Sequence, residues 1–277
     1  MGIRVGGEGG GWVGSSNPKR RWAMRVLSYN ILDGGTGRVA ALYSVIEAER
    51  PDVVGLVEAE DYAVVEDLAG RLGMDFVHGA GNYKASALLS RLAIRDSINH
   101  APLHKELTKS LLEATVVDEK GGEWVFGVMH LHAKALEADE AVREREIGKV
   151  LELFERHRKE GRAHLLMGDF NSNAPGQKID PRECKLSTRE AWEKNGGYVP
   201  RRVVQKILDA GYLDSMAVAD PKNAFTSGTF STELPGQRVD YIFSFGIGEE
   251  RIERGCIVYD GDADEASDHF PVVAEIN

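Results

Sequence analysis

Residues 163–172 read AHLLMGDFNS, a short apolar run that ends in a glycine and is followed at once by an aspartate, a phenylalanine and an asparagine. Leu165, Leu166 and Met167 have the length and composition of a buried strand, and Gly168 punctuates it. Asp169 and Asn171 therefore stand where a strand gives way to a loop, a place from which a rigid scaffold presents side chains to a cleft. The same arrangement recurs on both sides of this stretch. MRVLSYN closes on Asn30, DVVGLVEA carries Glu58 near its end, and WVFGVMH closes on His130. RVDYIFSF holds Asp240, and SDHFPVVAEI sets Asp268 and His269 just ahead of the last apolar run. One such residue is more often a turn or a helix cap than a ligand. All eight together are hard to account for as caps, and they predict one shared site.

Working outward, MRVLSY, DVVGLV, SALLS, LLEATVV, WVFGVMH, AHLLMG, VDYIFSF and PVVAEI read as strands, rich in β-branched residues. RVAALYSVIEAER between the first two sets Val39, Leu42, Val45 and Ile46 on one helical face. The stretch ALEADEAVREREIGKVLELFERHRKEG predicts the longest helix, with Ile147, Val150, Leu151 and Phe154 at core spacing and Gly161 as its stop. Strands and helices mix without a strict βαβ alternation. That pattern predicts an α/β fold of four layers, a sandwich of two mixed β-sheets packed face to face with helices on the outside. Residues 1–23, with GGEGGGWVGSSNP, read as a flexible Gly-rich extension, and residues 24–277 as a single domain.

Two cysteines, Cys184 and Cys256, are too few for a disulfide framework or a thiolate metal centre. They suit a reducing interior. The chain has no apolar run of the length that a membrane span needs and no apolar core of a secretory signal near its start, so a cytoplasmic location is expected. The net charge of −10 argues against tight, non-specific nucleic-acid binding, because neutralised phosphates supply most of that affinity. The argument is not decisive, since a bound metal or a local basic patch also holds a phosphate.

The residue types at the strand ends are carboxylates and amides with few imidazoles, which suits a hard cation such as Mg2+ or Mn2+. Zinc would want more His or Cys at close spacing, although His130-Leu131-His132 places two imidazoles on one face of a strand.

Taken in order, SYN (28–30), VEA (57–59), LSR (89–91), HLHA (130–133), GDFNS (168–172), RVDYIFS (238–244) and SDHFPVV (267–273) resemble the motifs of the endonuclease/exonuclease/phosphatase superfamily. That superfamily includes DNase I, abasic-site endonucleases, neutral sphingomyelinases, inositol-polyphosphate 5-phosphatases and deadenylases. GDFN followed much later by SDH is specific as a combination, although neither motif is so alone. The resemblance covers residues 24–277 and implies a metal-dependent phosphoester hydrolase. It implies Glu58 as the principal Mg2+ ligand, with Asn30 beside it and Asp268 turned towards the metal. Asp169 takes the position that orients or deprotonates the attacking water, with Asn171 its neighbour at the phosphate. By the same resemblance His269 is expected to face the scissile phosphate with Asp240 holding its ring, and His130 to donate to a phosphate oxygen.

The substrate is less constrained. Between Lys178 and Lys206 eight basic residues face four acidic ones, leaving +4 on an acidic chain. This segment, with Arg201 and Arg202, is read as a clamp for a polyanion. GNYKASALLSR offers Asn82 and Lys84 as further substrate contacts. A nuclease or nucleotide phosphodiesterase is the expectation. A phosphatase or phosphodiesterase on small or lipid-derived phosphoesters is the alternative, and a non-catalytic binding protein of the same fold is the remote one. No obligate protein partner is evident.

Overall fold

The computed structural model describes residues 23–277. The extension read at residues 1–23 lies outside them except for its last residue. In chain order the elements are β1 (Met24–Asn30), α1 (Val39–Glu49), β2 (Val53–Val57), α2 (Tyr62–Leu72), β3 (Asp75–Ala80), β4 (Ala85–Ser90) and β5 (Ala93–Asn99). Next come β6 (Ser110–Val117), β7 (Glu123–His130), α3 (Glu137–Leu153), α4 (Glu155–Lys159), β8 (His164–Asp169), α5 (Leu186–Lys194) and α6 (Arg202–Asp209). The chain continues with β9 (Leu213–Asp214), α7 (Ser215–Ala219), α8 (Pro221–Ala224), β10 (Asp240–Phe245), β11 (Ile252–Ile257), α9 (Ala263–Ala266) and β12 (Val272–Ile276).

Two six-stranded mixed sheets form, in the orders β11-β12-β1-β2-β4-β3 and β5-β6-β7-β8-β10-β9. They pack face to face, as the strand pattern predicts. Alternation along β8 shows how the layers are built: Leu165 and Met167 point into the inter-sheet core, and Leu166 points to the outer face. The inter-sheet core also takes Leu112, Phe126, Val128 and Ile242 from the second sheet. The outer face of that sheet is covered by Ile147, Val150 and Phe154, with Val203 and Ile207 from α6 beside them. Leu42, Val45 and Ile46 of α1, the stripe read from the sequence, cover the first sheet together with Val64 and Leu68 of α2. Gly55 lets the sheets approach, for a Cβ there would lie 2.4 Å from Cε of Met167.

Two readings need correction. The long helix is two: at Phe154 the backbone leaves helical geometry (φ −85°, ψ 0°), and α4 starts afresh at Glu155. The eight apolar runs are all strands, but β3, β5, β9 and β11 were not read, and these are the outermost strands of the two sheets. Half-solvated edges carry no apolar run: β5, AIRDSIN, is exposed over most of its length.

Among the described residues only two strand pairs are parallel, β1 with β2 and β7 with β8, one in the middle of each sheet. Their carboxyl ends lie at the same end of the sandwich. That is where Asn30, Glu58, His130 and Asp169 fall.

Candidate active site

Register sets the first contacts. His130 pairs with Asp169 across the parallel β7–β8 ladder, and Asp169 with Asp240 across the antiparallel β8–β10 ladder. Asp268 and His269 arrive from the segment before β12, pinned when the Ser267 hydroxyl donates to the Asn30 carbonyl at 2.6 Å. Gly168 has no freedom to be anything else. Its φ is +136°, and a Cβ would sit 1.9 Å from the Met129 carbonyl oxygen. The glycine of the GDFN motif thus lets β7 and β8 close up directly before Asp169.

Asp169 Oδ2 is the hub. The Asn30 amide nitrogen lies 3.2 Å from it, His130 Nε2 3.3 Å, and His269 Nε2 3.9 Å. Its other oxygen accepts the Asn171 N–H at 2.9 Å, which holds Asn171 in a left-handed conformation (φ 49°). Burial works against the Asp169 charge, but His130, His269 and Lys109 outweigh it and hold the carboxyl below its usual range. His269 Nδ1 donates to Asp240 Oδ2 at 2.8 Å. Burial alone would lower the imidazole pKa; Asp240, Asp169 and Asp268 reverse that and raise it to about 9. Burial raises Asp240 in turn, while the imidazolium opposes that shift. At neutral pH His269 is therefore an imidazolium held against Asp240. Phe230 lies against the His269 ring at 4.7 Å.

Glu58 also has a left-handed backbone (φ 56°), a strain that concentrates where function over-determines a conformation. Its Oε2 accepts the Asp33 N–H at 3.0 Å and the Lys84 ammonium at 2.7 Å. Burial penalises the charge, yet His130, the Asp33 N–H and Lys84 together pull the pKa down to about 2. Asp268 accepts Lys185 at 3.0 Å through Oδ2, while its buried Oδ1 accepts no hydrogen bond and lies 3.9 Å from His269 Nε2.

The chemistry of these oxygens suits a divalent cation: two carboxylates, one with an oxygen that accepts no hydrogen bond, each already drawing an ammonium. Asn30 does not offer its amide oxygen, which accepts the Leu32 N–H at 3.0 Å; its nitrogen faces Glu58 and Asp169. In this orientation it aligns the two carboxylates. Among the described residues, the acids and imidazoles that lie close enough together to share an ion are Asp169, Asp240 and His269. The 2.8 Å contact between His269 and Asp240 is a hydrogen bond, however, so the cation between them is a proton. The two imidazoles of the HLH stretch are separated, since His132 pairs with Asp139 at 3.0 Å near the start of α3.

Of the four expected substrate contacts, Lys84 alone meets the cluster. Asn82 spends its amide nitrogen on the carbonyls of Ala101 and Leu107. Arg201 donates to the carbonyls of Ala174, Pro175 and Gln177, and Arg202 pairs with Glu137 and Glu144. Both guanidiniums hold loops and helices together. Two lysines were not singled out. Lys109, buried just before β6, reaches His130 Nε2 at 2.5 Å. Lys185 was counted in the basic segment without a role. The β6–β7 pairing, Ser110 opposite His130, is the signal that could have found Lys109. Beside the cluster a cavity of about 440 Å3 opens, lined by Asn171, Asn173, Trp192, Phe230, Gln237 and Val239 among others.

The family model described as the Endonuclease/Exonuclease/phosphatase family matches residues 27–269. The chain belongs to that family. It is a hydrolytic enzyme acting on phosphoesters. Exodeoxyribonuclease III of Haemophilus influenzae is 25% identical over 277 residues, covering 91% of this chain and 99% of that one. Among solved structures, the 3′ phosphatase NExo from Neisseria, bound to a product DNA hairpin, superposes with a TM-score of 0.70 at 21% identity. That match covers 92% of this chain and all of the other. An AP endonuclease from Archaeoglobus fulgidus gives a TM-score of 0.67 at 18% identity over 92% of this chain and 99% of its own. These likenesses show the same sandwich fold. Among the described residues no helix is long and apolar enough to cross a membrane.

Proposed function

We propose that this family member is a magnesium-dependent hydrolase of phosphoesters in nucleic acid or nucleotides, with residues 24–277 as its catalytic domain. The observation that carries the reading is the convergence of Asn30, His130 and His269 on one oxygen of an ionised Asp169, with Asp240 behind His269.

Hydrolysis requires a water in line with the leaving oxygen and positive charge around the phosphoryl oxygens. Asp169 accepts a hydrogen bond from that water and draws its proton. Assistance of this kind contributes about 10² to 10⁴ in rate. His269, kept cationic by Asp240, donates Nε2–H to a phosphoryl oxygen. Asn171 and His130 flank the phosphate, and Asn30 keeps Glu58 and Asp169 aligned. Glu58 and Asp268 would hold the ion, which when bound supplies charge neutralisation on the phosphoryl oxygens.

The names of the relatives favour DNA ends and abasic sites as the substrate class. A second reading is a phosphatase or phosphodiesterase of small or lipid-derived phosphoesters, favoured because Arg201 and Arg202, expected to clamp a polyanion, spend donors on the protein itself. Turnover with Mg2+ or Mn2+ on 3′-phosphorylated, abasic and single-stranded DNA, RNA and small phosphomonoesters separates the two. On the best substrate, His269→Ala and Asp169→Asn should each lose most turnover while the fold persists. Near-normal rates in either variant would refute the assignment.

A further inference from the structure

Both carboxylates assigned to the metal carry a lysine. The two lysines come from separate parts of the chain, Lys84 from the loop before β4 and Lys185 from the residue ahead of α5. We propose that Lys84 and Lys185 hold the ion's place on Glu58 and Asp268 in the free enzyme and turn to the substrate's phosphate once the ion binds. The inference rests on the metal-dependent reading above.

A lysine ammonium has three N–H donors and no acceptor. Those of Lys84 face three carboxylates, Asp33 at 2.7 Å, Glu58 at 2.7 Å and Glu60 at 3.1 Å. One ammonium against three carboxylates leaves an excess of two negative charges, the charge that a divalent cation brings. A cation that takes Glu58 frees one N–H. Asp33 and Glu60 keep the ammonium at the edge of the cluster, so the freed donor stays within reach of the phosphate beside the ion.

Lys185 is built the same way at the His269 end. It bonds Asp268 at 3.0 Å and lies 4.4 Å from the centroid of Phe230, whose ring covers His269. When Asp268 turns to the ion, the cation–π contact keeps the ammonium beside His269. Metal and lysine therefore compete for the carboxylates, whereas lysine and phosphate support each other. Linkage requires both effects to appear in binding.

The test uses the full chain without turnover. Mn2+ binding is measured by electron paramagnetic resonance of the free ion for wild type, K84M, K185M and K84R. Binding of inorganic phosphate to the Mn2+-saturated proteins is then measured by calorimetry. K84M and K185M should each bind Mn2+ about three- to tenfold more tightly and phosphate about three- to tenfold more weakly, the size of a partly buried ion pair. K84R should behave as wild type. Unchanged or weaker Mn2+ binding in the methionine variants, or unchanged phosphate binding, overturns the inference and leaves the metal-dependent reading standing. A wild type that binds no Mn2+ overturns that reading and the inference with it. Should K84M fail to fold, K185M carries both arms of the test alone.

Discussion

Gly168→Ala is the substitution whose effect the geometry fixes most tightly. The new Cβ would lie 1.9 Å from the carbonyl oxygen of Met129, 2.9 Å from its carbonyl carbon and 3.2 Å from its nitrogen. All three are backbone atoms of β7, the strand paired with Gly168 itself, so no side chain can swing away to make room. Two costs add. Overpacking typically costs about 1–3 kcal/mol. The backbone, at φ +136°, is a conformation that a non-glycine residue adopts only with strain, worth about another 1–3 kcal/mol. The sum centres near ~4 kcal/mol, a large share of the 5–15 kcal/mol or so that stabilises a typical protein. At roughly 2–4 °C per kcal/mol for a chain of this size, the melting temperature should fall by about 8–16 °C.

A control separates the two terms. Gly121 has φ +81° and open space where its Cβ would go, so Gly121→Ala meets the conformational strain alone. It should melt about 4–8 °C below wild type, half the fall expected of Gly168→Ala. The assay is a thermal melt of both variants together with turnover on the best substrate. Gly168→Ala should also lose roughly 10²-fold in activity where the protein is still folded, because Asp169 follows directly and a 1 Å misplacement is worth that much. If Gly168→Ala melted beside Gly121→Ala and kept its activity, the claim that the motif's glycine exists to let β7 approach would be wrong.

Other expectations follow from charge. The His269 pKa is raised to about 9, so its cation dominates below that pH and activity should fall as pH rises through it. In Asp240→Asn the largest raising influence is lost while Asp169 and Asp268 remain, so the alkaline limb of kcat/KM should move down from about 9; a limb that stays near 9 would acquit this pair. His164 is buried among the rings of Phe154, Tyr212 and Phe245, donates Nδ1–H to the Arg162 carbonyl and accepts the Tyr212 hydroxyl. Burial lowers its pKa from 6.5 to about 4, so the stability it contributes is whole above 6.5 and is lost as pH falls towards 4. Urea unfolding should cost about 2 kcal/mol less at pH 5 than at pH 7.5 on this account, and His164→Phe should remove that difference. For nucleic acid, binding met mainly by Lys84 and Lys185 gives a slope of log K against log salt near about −2, and a slope steeper than about −4 would place the strand on exposed residues such as Arg182 instead.

How much of this was legible in the sequence depended on solvent. Interior strands are apolar on both faces, so each announced itself as a run, and the polar residue that closed it stood out: Asn30 after SY, His130 after VM, Asp169 after MG. Every strand that escaped notice is an edge. β11, IERGCI, alternates irregularly between buried and exposed, and β9 is only two residues long. The break between α3 and α4 was hidden for another reason. ELFERHRKEG has the composition of one continuous helix, and nothing local to Phe154 marks a stop. The site was read through its acids and imidazoles because these punctuate strands. Of its lysines only Lys84 stood out; Lys109 and Lys185 did not, because a lysine beside a strand looks like any solvated charge. Only the pairing of β6 with β7 brings Lys109 under His130.

That omission bears on the objection raised by the net charge. A chain at −10 is poorly suited to hold a polyanion by its surface, and the segment with the most basic residues does not change this, since Arg201 and Arg202 are committed to carbonyls and to Glu137 and Glu144. The positive charge that matters is inside. Lys84, Lys109 and Lys185 all reach the cluster, joined by the imidazolium of His269. Each is set against a carboxylate or an imidazole of the site, so none adds to a general basic surface. An arrangement of this kind discriminates by where a phosphate sits, because a phosphate elsewhere on the protein meets mostly carboxylates. On the proposed function, acidity of the whole and affinity of the site for phosphate would be compatible, the first sharpening the second by keeping unproductive contacts weak.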